Sequence, residues 1–140
     1  KRLFNMERKL VASPDYMAEH KTPQRPNDLI SWDWIGLAMR PHLKTFANTL
    51  GETSFIQFEP RIIADSVDAV AYLAIAGLGL ATPPSFLVAE AIHQGLLVEP
   101  LPAWHVESMP VYAVWPPNAS KDSLTFKLLA FLEDRKKYDL

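Results

Sequence analysis

A chain of 140 residues with 49% hydrophobic and 21% charged residues has the size and balance of one globular domain, which excludes disordered and collagen-like classes. Its formal net charge of -2 argues against nucleic-acid binding by these residues alone, and no run of 18 apolar residues is present to span a bilayer. The absence of cysteine removes disulfides, thiolate metal sites and cysteine nucleophiles together, and fits a reducing compartment.

Residues 1–8 have no apolar signal-peptide core and do not begin with methionine, which reads as the start of a piece of a longer protein. Residues 9–12 predict a short strand. Ser13 is then a good N-cap, Pro14 a good first helical residue and Asp15 a favourable first-turn acid, so a helix is expected through about Glu19. Residues 22–27 read as a surface loop, 28–31 as a helical turn and 34–39 as a strand ending at Met39. Residues 44–48 and 54–58 predict a hairpin turning through Leu50, Gly51 and Glu52, and Pro60 interrupts it.

An alanine-rich helix is expected over residues 66–76, with Val67, Val70, Ala71, Ala74 and Leu78 forming one apolar stripe. Gly77 supplies its left-handed stop and Gly79 the turn into a short buried strand. Pro83 and Pro84 open a second helix over residues 86–94, which Gly95 ends. Residues 96–99 read as a strand, 103–109 as a loop and 110–115 as a strand. Ser120 is expected to cap a final helix whose Leu124, Leu128, Phe131 and Leu132 share a face. Strands separated by helices imply a mainly parallel, helix-flanked sheet. The basic groups Lys1, Arg2, Arg8, Lys9 and Arg135, Lys136, Lys137 read as helix-end and surface charges.

Catalytic spacing is scarce. Gly77-Leu78-Gly79 lacks the third glycine of a dinucleotide loop and joins helix to strand, the reverse of that motif's order, so it reads as a helix stop. His20, His42, His93 and His105 are too far apart for a local metal motif. No serine lies in a G-x-S-x-G elbow, and Ser85 reads as a helix-start residue. Asp65 and Asp68 both read as first-turn acids that complement the helix dipole. Trp32 and Trp34, two apart on an expected strand, share a face that either lines a pocket for a planar ligand or belongs to the core. Trp115 is assigned to packing.

The stretches R-K-L-V-A-S-P-D-Y-M-A-E-H, P-Q-R-P-N-D-L-I, A-D-S-V-D-A-V-A-Y-L-A-I-A-G-L-G-L-A-T-P-P-S-F-L, G-L-L-V-E-P-L-P-A-W and P-V-Y-A-V-W-P-P occur in one order. In that order they resemble the effector-binding domain of LysR-type transcriptional regulators, over nearly the whole chain. The resemblance implies an α/β fold, periplasmic-binding-protein-like (type 2), with a sheet flanked by helices. It implies that residues 9–115 are essentially the second subdomain, with crossing strands at 10–13 and 111–115. Residues 1–8 would be the tail of a mostly absent first subdomain, and 116–140 a C-terminal helix returning to it.

The implied function is small-molecule effector sensing by a bacterial, cytoplasmic DNA-binding regulator, without catalysis, cofactor or metal. Promoter DNA would be bound through an absent N-terminal winged helix-turn-helix, as a homodimer or tetramer to which the 66–76 helix contributes an antiparallel contact. Carried over by resemblance, the effector contacts are Trp32, Ala64, Asp65, Ser66, Pro84 and Phe86. Many family members carry a histidine where Trp32 stands, which favours an aromatic or amphipathic effector, or an organic acid held at a helix N-terminus. The alternative is the solute-binding protein of a transporter, which shares the architecture.

Overall fold

The structure, a computed structural model, describes residues 1–38, 40 and 42–139, the last four of them by backbone alone. The Met39 end of the expected strand and the side chains of Lys136 and Lys137 therefore lie outside the described residues. The chain divides into two units, one spanning Glu7–Ser108 and the other made of Lys1–Met6 and Met109–Leu140.

Two sheets organise the larger unit. In the first, β2 (Ile35–Leu37) and β5 (Ile62–Ala64) pair in parallel, with Ile35 opposite Ile62 and Leu37 opposite Ala64. Single bridges extend this pair: Trp34 runs parallel to Leu80, while Val11 opposes Ala81 and Ala12 opposes Val98 antiparallel. The strands expected at 9–12 and 96–99 are thus reduced to bridges, held by bonds such as Val11 N to Ala81 O at 2.9 Å and Val98 N to Ala12 O at 2.8 Å. Because Val11, Ala12, Leu80 and Ala81 are fully buried, these short contacts still close a sheet interior.

Helices α1 (Pro14–Ala18), α2 (Val67–Ile75) and α3 (Ser85–His93) form where local capping chemistry directs them. Ser13 caps α1 by accepting from Tyr16 N, and Ser66 caps α2 by accepting from Ala69 N. Asp65 therefore precedes the cap rather than lying in the first turn, where Asp68 sits. Both α2 and α3 end in the same way. Gly77 at φ +85° bonds to Ala74 O while Leu78 N reaches Leu73 O; Gly95 at φ +75° bonds to Ile92 O while Leu96 N reaches Ala91 O. Of the expected stripe on α2, Val70, Ala71 and Ala74 are buried, whereas Leu78 is exposed because the chain has already left the helix. The small stripe packs with Val88 and Ala91 of α3 and with Ile35, Val11 and Ala81 of the sheet.

The second sheet has the order β4-β3-β6, all antiparallel. The hairpin of β3 (Leu43–Asn48) and β4 (Thr53–Gln57) matches the expected one, its turn held by Asn48 Oδ1 accepting from Leu50 N and Glu52 N. β6 (Trp104–Val106) corrects the loop expected at 103–109: three residues are too few to show alternation, and their pairing with Phe46 and Asn48 is distant in sequence. The mainly parallel sheet expected from the element order is corrected as well, since only β2 with β5 and the Trp34 to Leu80 bridge are parallel among the described pairings. Phe46, Ile56, Phe58 and Val106 close on Leu10, Tyr16, Leu29 and Trp34 to make the second core cluster. Trp34 is a core residue, stacked on Phe58 with centroids 4.1 Å apart and donating Nε1–H to Leu29 O at 2.8 Å. The helical turn expected at 28–31 forms slightly earlier, as a 3-10 turn at Pro26–Leu29.

In the smaller unit, β1 (Arg2–Met6) pairs antiparallel with β7 (Met109–Tyr112), so the opening residues are a strand. The final helix, α4, spans Leu124–Asp139. Ser120 is not its cap: the Ser120 hydroxyl accepts from Asp122 N in the preceding turn. Trp115 meets Phe126 edge-on at 5.4 Å, as a packing residue should. Leu124, Leu128, Phe131 and Leu132 are all exposed.

Candidate functional site

The strand segments at 34–37, 62–64 and 80–81 run parallel, so their carboxyl ends emerge on one edge of the first sheet. That edge is where open α/β sheets bind ligands, because helix N-termini and unpaired backbone groups gather there. Ala64 ends β5, its carbonyl accepting from Ala38 N at 2.7 Å. Asp65 follows, exposed, and Ser66 commits its hydroxyl to Ala69 N at 3.1 Å. On the neighbouring segment, Pro84 bridges Arg8 and Ser85 N donates to Glu7 O at 2.9 Å. α3 begins there with no side-chain cap and no acid in its first turn, and the Phe86 side chain is 71% exposed. Ala64, Asp65, Ser66, Pro84 and Phe86 are therefore brought to the same edge.

Trp32 is not brought there. It lies in a turn before β2, beyond the amino ends of the parallel strands. The run from Trp34 to Leu37 alone separates the two ends by about 10 Å at about 3.3 Å per residue. Trp32 packs instead against His20 at 4.3 Å and edge-on to Tyr16 at 5.9 Å. The Tyr16 hydroxyl accepts from Asp33 N at 2.9 Å, and Asp33 pairs with Arg61 at 3.2 Å. Burial, foremost, raises the Tyr16 pKa above its ordinary value.

The residues that the sequence reading passed over are cationic. Arg8, read as a surface charge, donates Nε–H and Nη2–H to Glu107 O at 3.1 and 2.7 Å, and burial with nearby Arg40 lowers its pKa against the pull of Glu107. Arg8 lines a cavity of about 360 Å³ with Leu10, Ser85, Leu101, Trp104 and Val106. Lys44 shares the inward face of β3 with Phe46, and burial, then Arg8 and Arg40, push its pKa down to about 8. A lysine in the inward register of a hairpin, alternating with outward Thr45 and Ala47, was the signal available in the sequence. Among the described residues no group of three or more His, Asp or Glu side chains could hold a metal ion.

Residues 1–137 match the family described as LysR substrate binding domain. The chain is 32% identical over 139 residues to the HTH-type transcriptional regulator PtxR of Pseudomonas aeruginosa, covering 98% of this chain and 43% of that protein. It is 28% identical over 140 residues to the HTH-type transcriptional activator AaeR of Escherichia coli, covering 99% and 44%. Among solved structures, the regulatory domain of an AphB variant from Vibrio vulnificus matches with a TM-score of 0.80 at 26% identity, over 94% of this chain and 67% of that one. CrgA, a LysR-type transcriptional regulator from Neisseria meningitidis, matches with a TM-score of 0.67 at 26% identity, over 96% and 45%. The chain thus spans less than half the length of these curated relatives. They are transcriptional regulators, and none of them supports a transporter role. Helices and sheets arranged as in those regulatory domains make the fold α/β and periplasmic-binding-protein-like, and the chain belongs to the LysR substrate binding domain family.

Proposed function

We propose that this chain senses a small-molecule effector at the carboxyl edge of its first sheet, within a cytoplasmic LysR-type regulator that binds promoter DNA through another domain and assembles as a homodimer or tetramer. The effector contacts Ala64, Asp65, Ser66, Pro84 and Phe86, while Trp32 serves the packing of the opposite end. The observation that carries this reading is the convergence of the α2 and α3 N-termini on one edge, with the exposed Phe86 ring beside an N-terminus that no side chain caps. Asp65 at that edge disfavours an anion directly over α2 and directs an acidic ligand group toward α3. Residues 9–115 act as one effector-binding subdomain, and ligand binding shifts the balance between two of its states. Such coupling is typically about 1–3 kcal/mol. No catalysis is assigned.

Titration with a broad panel of small acids and neutral aromatic compounds, read by tryptophan fluorescence and melting temperature, tests the proposal. A true effector at 100 times its Kd adds about 2.7 kcal/mol of stability. Phe86→Ala weakens that binding by about tenfold with little loss of stability, because the ring is already exposed. A panel that leaves both signals unmoved removes the sensor reading.

A further inference from the structure

Lys44 carries an amine that the effector edge does not use. In β3 it stands opposite Ile56 and two residues before Phe46, so its stem shares the inward face that those two fully buried side chains define. The residue is half-buried, and no carboxylate or carbonyl among the described residues bonds its ammonium. Its charged surroundings are mostly of its own sign. Glu107 N donates to Thr45 O at 2.9 Å, and Glu107 O accepts from the Arg8 guanidinium, which anchors Arg8 one residue along the ladder from Lys44. Arg40 acts on Lys44 from the loop before β3, and His42 lies two residues earlier on the same alternation. The Glu107 carboxylate draws on Arg8, and Ile56 brings no charge from β4. Burial, foremost, and then the two guanidinium charges push the amine down to about 8. A lysine partly out of water and beside another cation is one of the settings in which this side chain becomes a nucleophile.

We propose that Lys44 is a site of covalent acylation by acyl phosphates, whose phosphate group is drawn by Arg8 and Arg40 while the Lys44 amine attacks the carbonyl carbon. The neutral amine gives its lone pair to that carbon, and an N–C bond forms. The C–O bond to the phosphate breaks, its electron pair leaves on inorganic phosphate, and the surplus proton on nitrogen passes to water. The product is an uncharged amide, and neither oxidant nor reductant takes part. Guanidinium groups suit this donor because their planar N–H array matches phosphate oxygens. The amide removes the Lys44 charge from beside Arg8 and Arg40, which relieves the crowding of like charges at this end of the sheet. An amine at about 8 instead of 10.5 holds about two hundred times more neutral form at pH 7.5. A less basic group is a weaker nucleophile, which takes back roughly a factor of ten and leaves an advantage of about tenfold or more.

The chain is incubated with acetyl phosphate over a range of pH, and acetylation of each lysine is followed by peptide mass spectrometry. Lys44 is expected to react about tenfold faster at pH 7.5 than the exposed Lys21 and Lys121, with a rate that levels off above pH 8. In concentrated urea the preference disappears, because the guanidinium groups and the burial are gone. N-acetoxysuccinimide, an uncharged donor, keeps the levelling near pH 8 and shows a several-fold smaller preference for Lys44. Stability separates this role from a structural one. Lys44 ionises at about 8 when folded against 10.5 ordinarily, so below pH 8 the folded protein carries the full cost of a buried cation. The acetylated protein and Lys44→Gln therefore melt no lower than the parent at pH 7, and their relative gain shrinks between pH 8 and 10.5. Lys44 reacting no faster than Lys21, a rate still climbing through pH 9, or a preference that survives urea overturns the inference. So does an equal preference with the uncharged donor, which removes the part given to the arginines, or a Lys44→Gln protein that melts lower at pH 7, which makes the ammonium a structural group. Each of these outcomes leaves the sensor reading standing, since effector titration does not depend on Lys44.

Discussion

Gly79 shows how much a single missing methyl can decide. At φ +146° its position suits glycine, and a Cβ there would stand 2.4 Å from the Asp33 carbonyl oxygen, with Leu80 N already bonded to that oxygen at 2.8 Å. Gly79→Ala must either break that bond or move the turn that carries Asp33, and the expected cost is roughly 2–4 kcal/mol. Gly51→Ala is the control, since its φ of +80° is strained for alanine but its surroundings are open, giving about 1 kcal/mol. Urea unfolding of the two variants separates conformational strain from collision; equal losses would mean that the contact with Asp33 relaxes freely. The need for glycine at 79 was legible in the sequence because a helix stop and a strand start crowd into three residues. That Asp33 is what fills the space was not, because the two positions meet only in the fold.

Elements built on local chemistry were the readable ones. Ser13, Ser66, Gly77 and Gly95 act within one helical turn of themselves; Ser13, Gly77 and Gly95 stand where a cap or stop was expected, and Ser66 takes the cap of α2 one residue after Asp65, which was expected as a first-turn acid. Strands β1 and β6 find partners about a hundred and about sixty residues away, and their own sequences carry no strong alternation, so neither could be read in isolation. The candidate site follows the same division. Ser66 and Pro84 announce helix starts, which places them at the carboxyl edge, whereas Lys44 acquires its meaning only from Arg8 and Arg40. The Ser66 cap gives a direct check at this scale: Ser66→Ala should cost about 1 kcal/mol in thermal or urea unfolding. Since that hydroxyl is spent on Ala69 N, effector affinity should change far less than with Phe86→Ala; a larger effect would make Ser66 a ligand contact first.

For the whole molecule, the two units differ in how much they bury. The Glu7–Ser108 unit holds both core clusters, whereas α4 in the other unit has Leu129 buried but Leu124, Leu128, Phe131 and Leu132 exposed. Exposed apolar surface on one helix face favours association. Light scattering of the chain is expected to show mass above the monomer that rises with concentration and is reduced by Leu128→Glu. A monodisperse monomer at all concentrations would show that this face is not sticky. What the sequence conveyed at this scale was the family, through the order of its motifs, and not the division between the units, which depends on pairings such as Arg2 with Tyr112.

The β3–β4 hairpin ends in a tip where Leu50 is 83% exposed and nothing beyond its chain neighbours lies within 4 Å of a Cβ built on Gly51. Such tips accept inserted sequence better than packed turns do. The same hairpin carries Lys44 a few residues away, on a strand whose register is fixed on both sides. A circularly permuted fluorescent protein spliced in after Leu50 would thus ride on the central strand of the second sheet, and would turn this chain into an optical reporter of changes in that sheet without touching Ala64, Asp65, Ser66, Pro84 or Phe86.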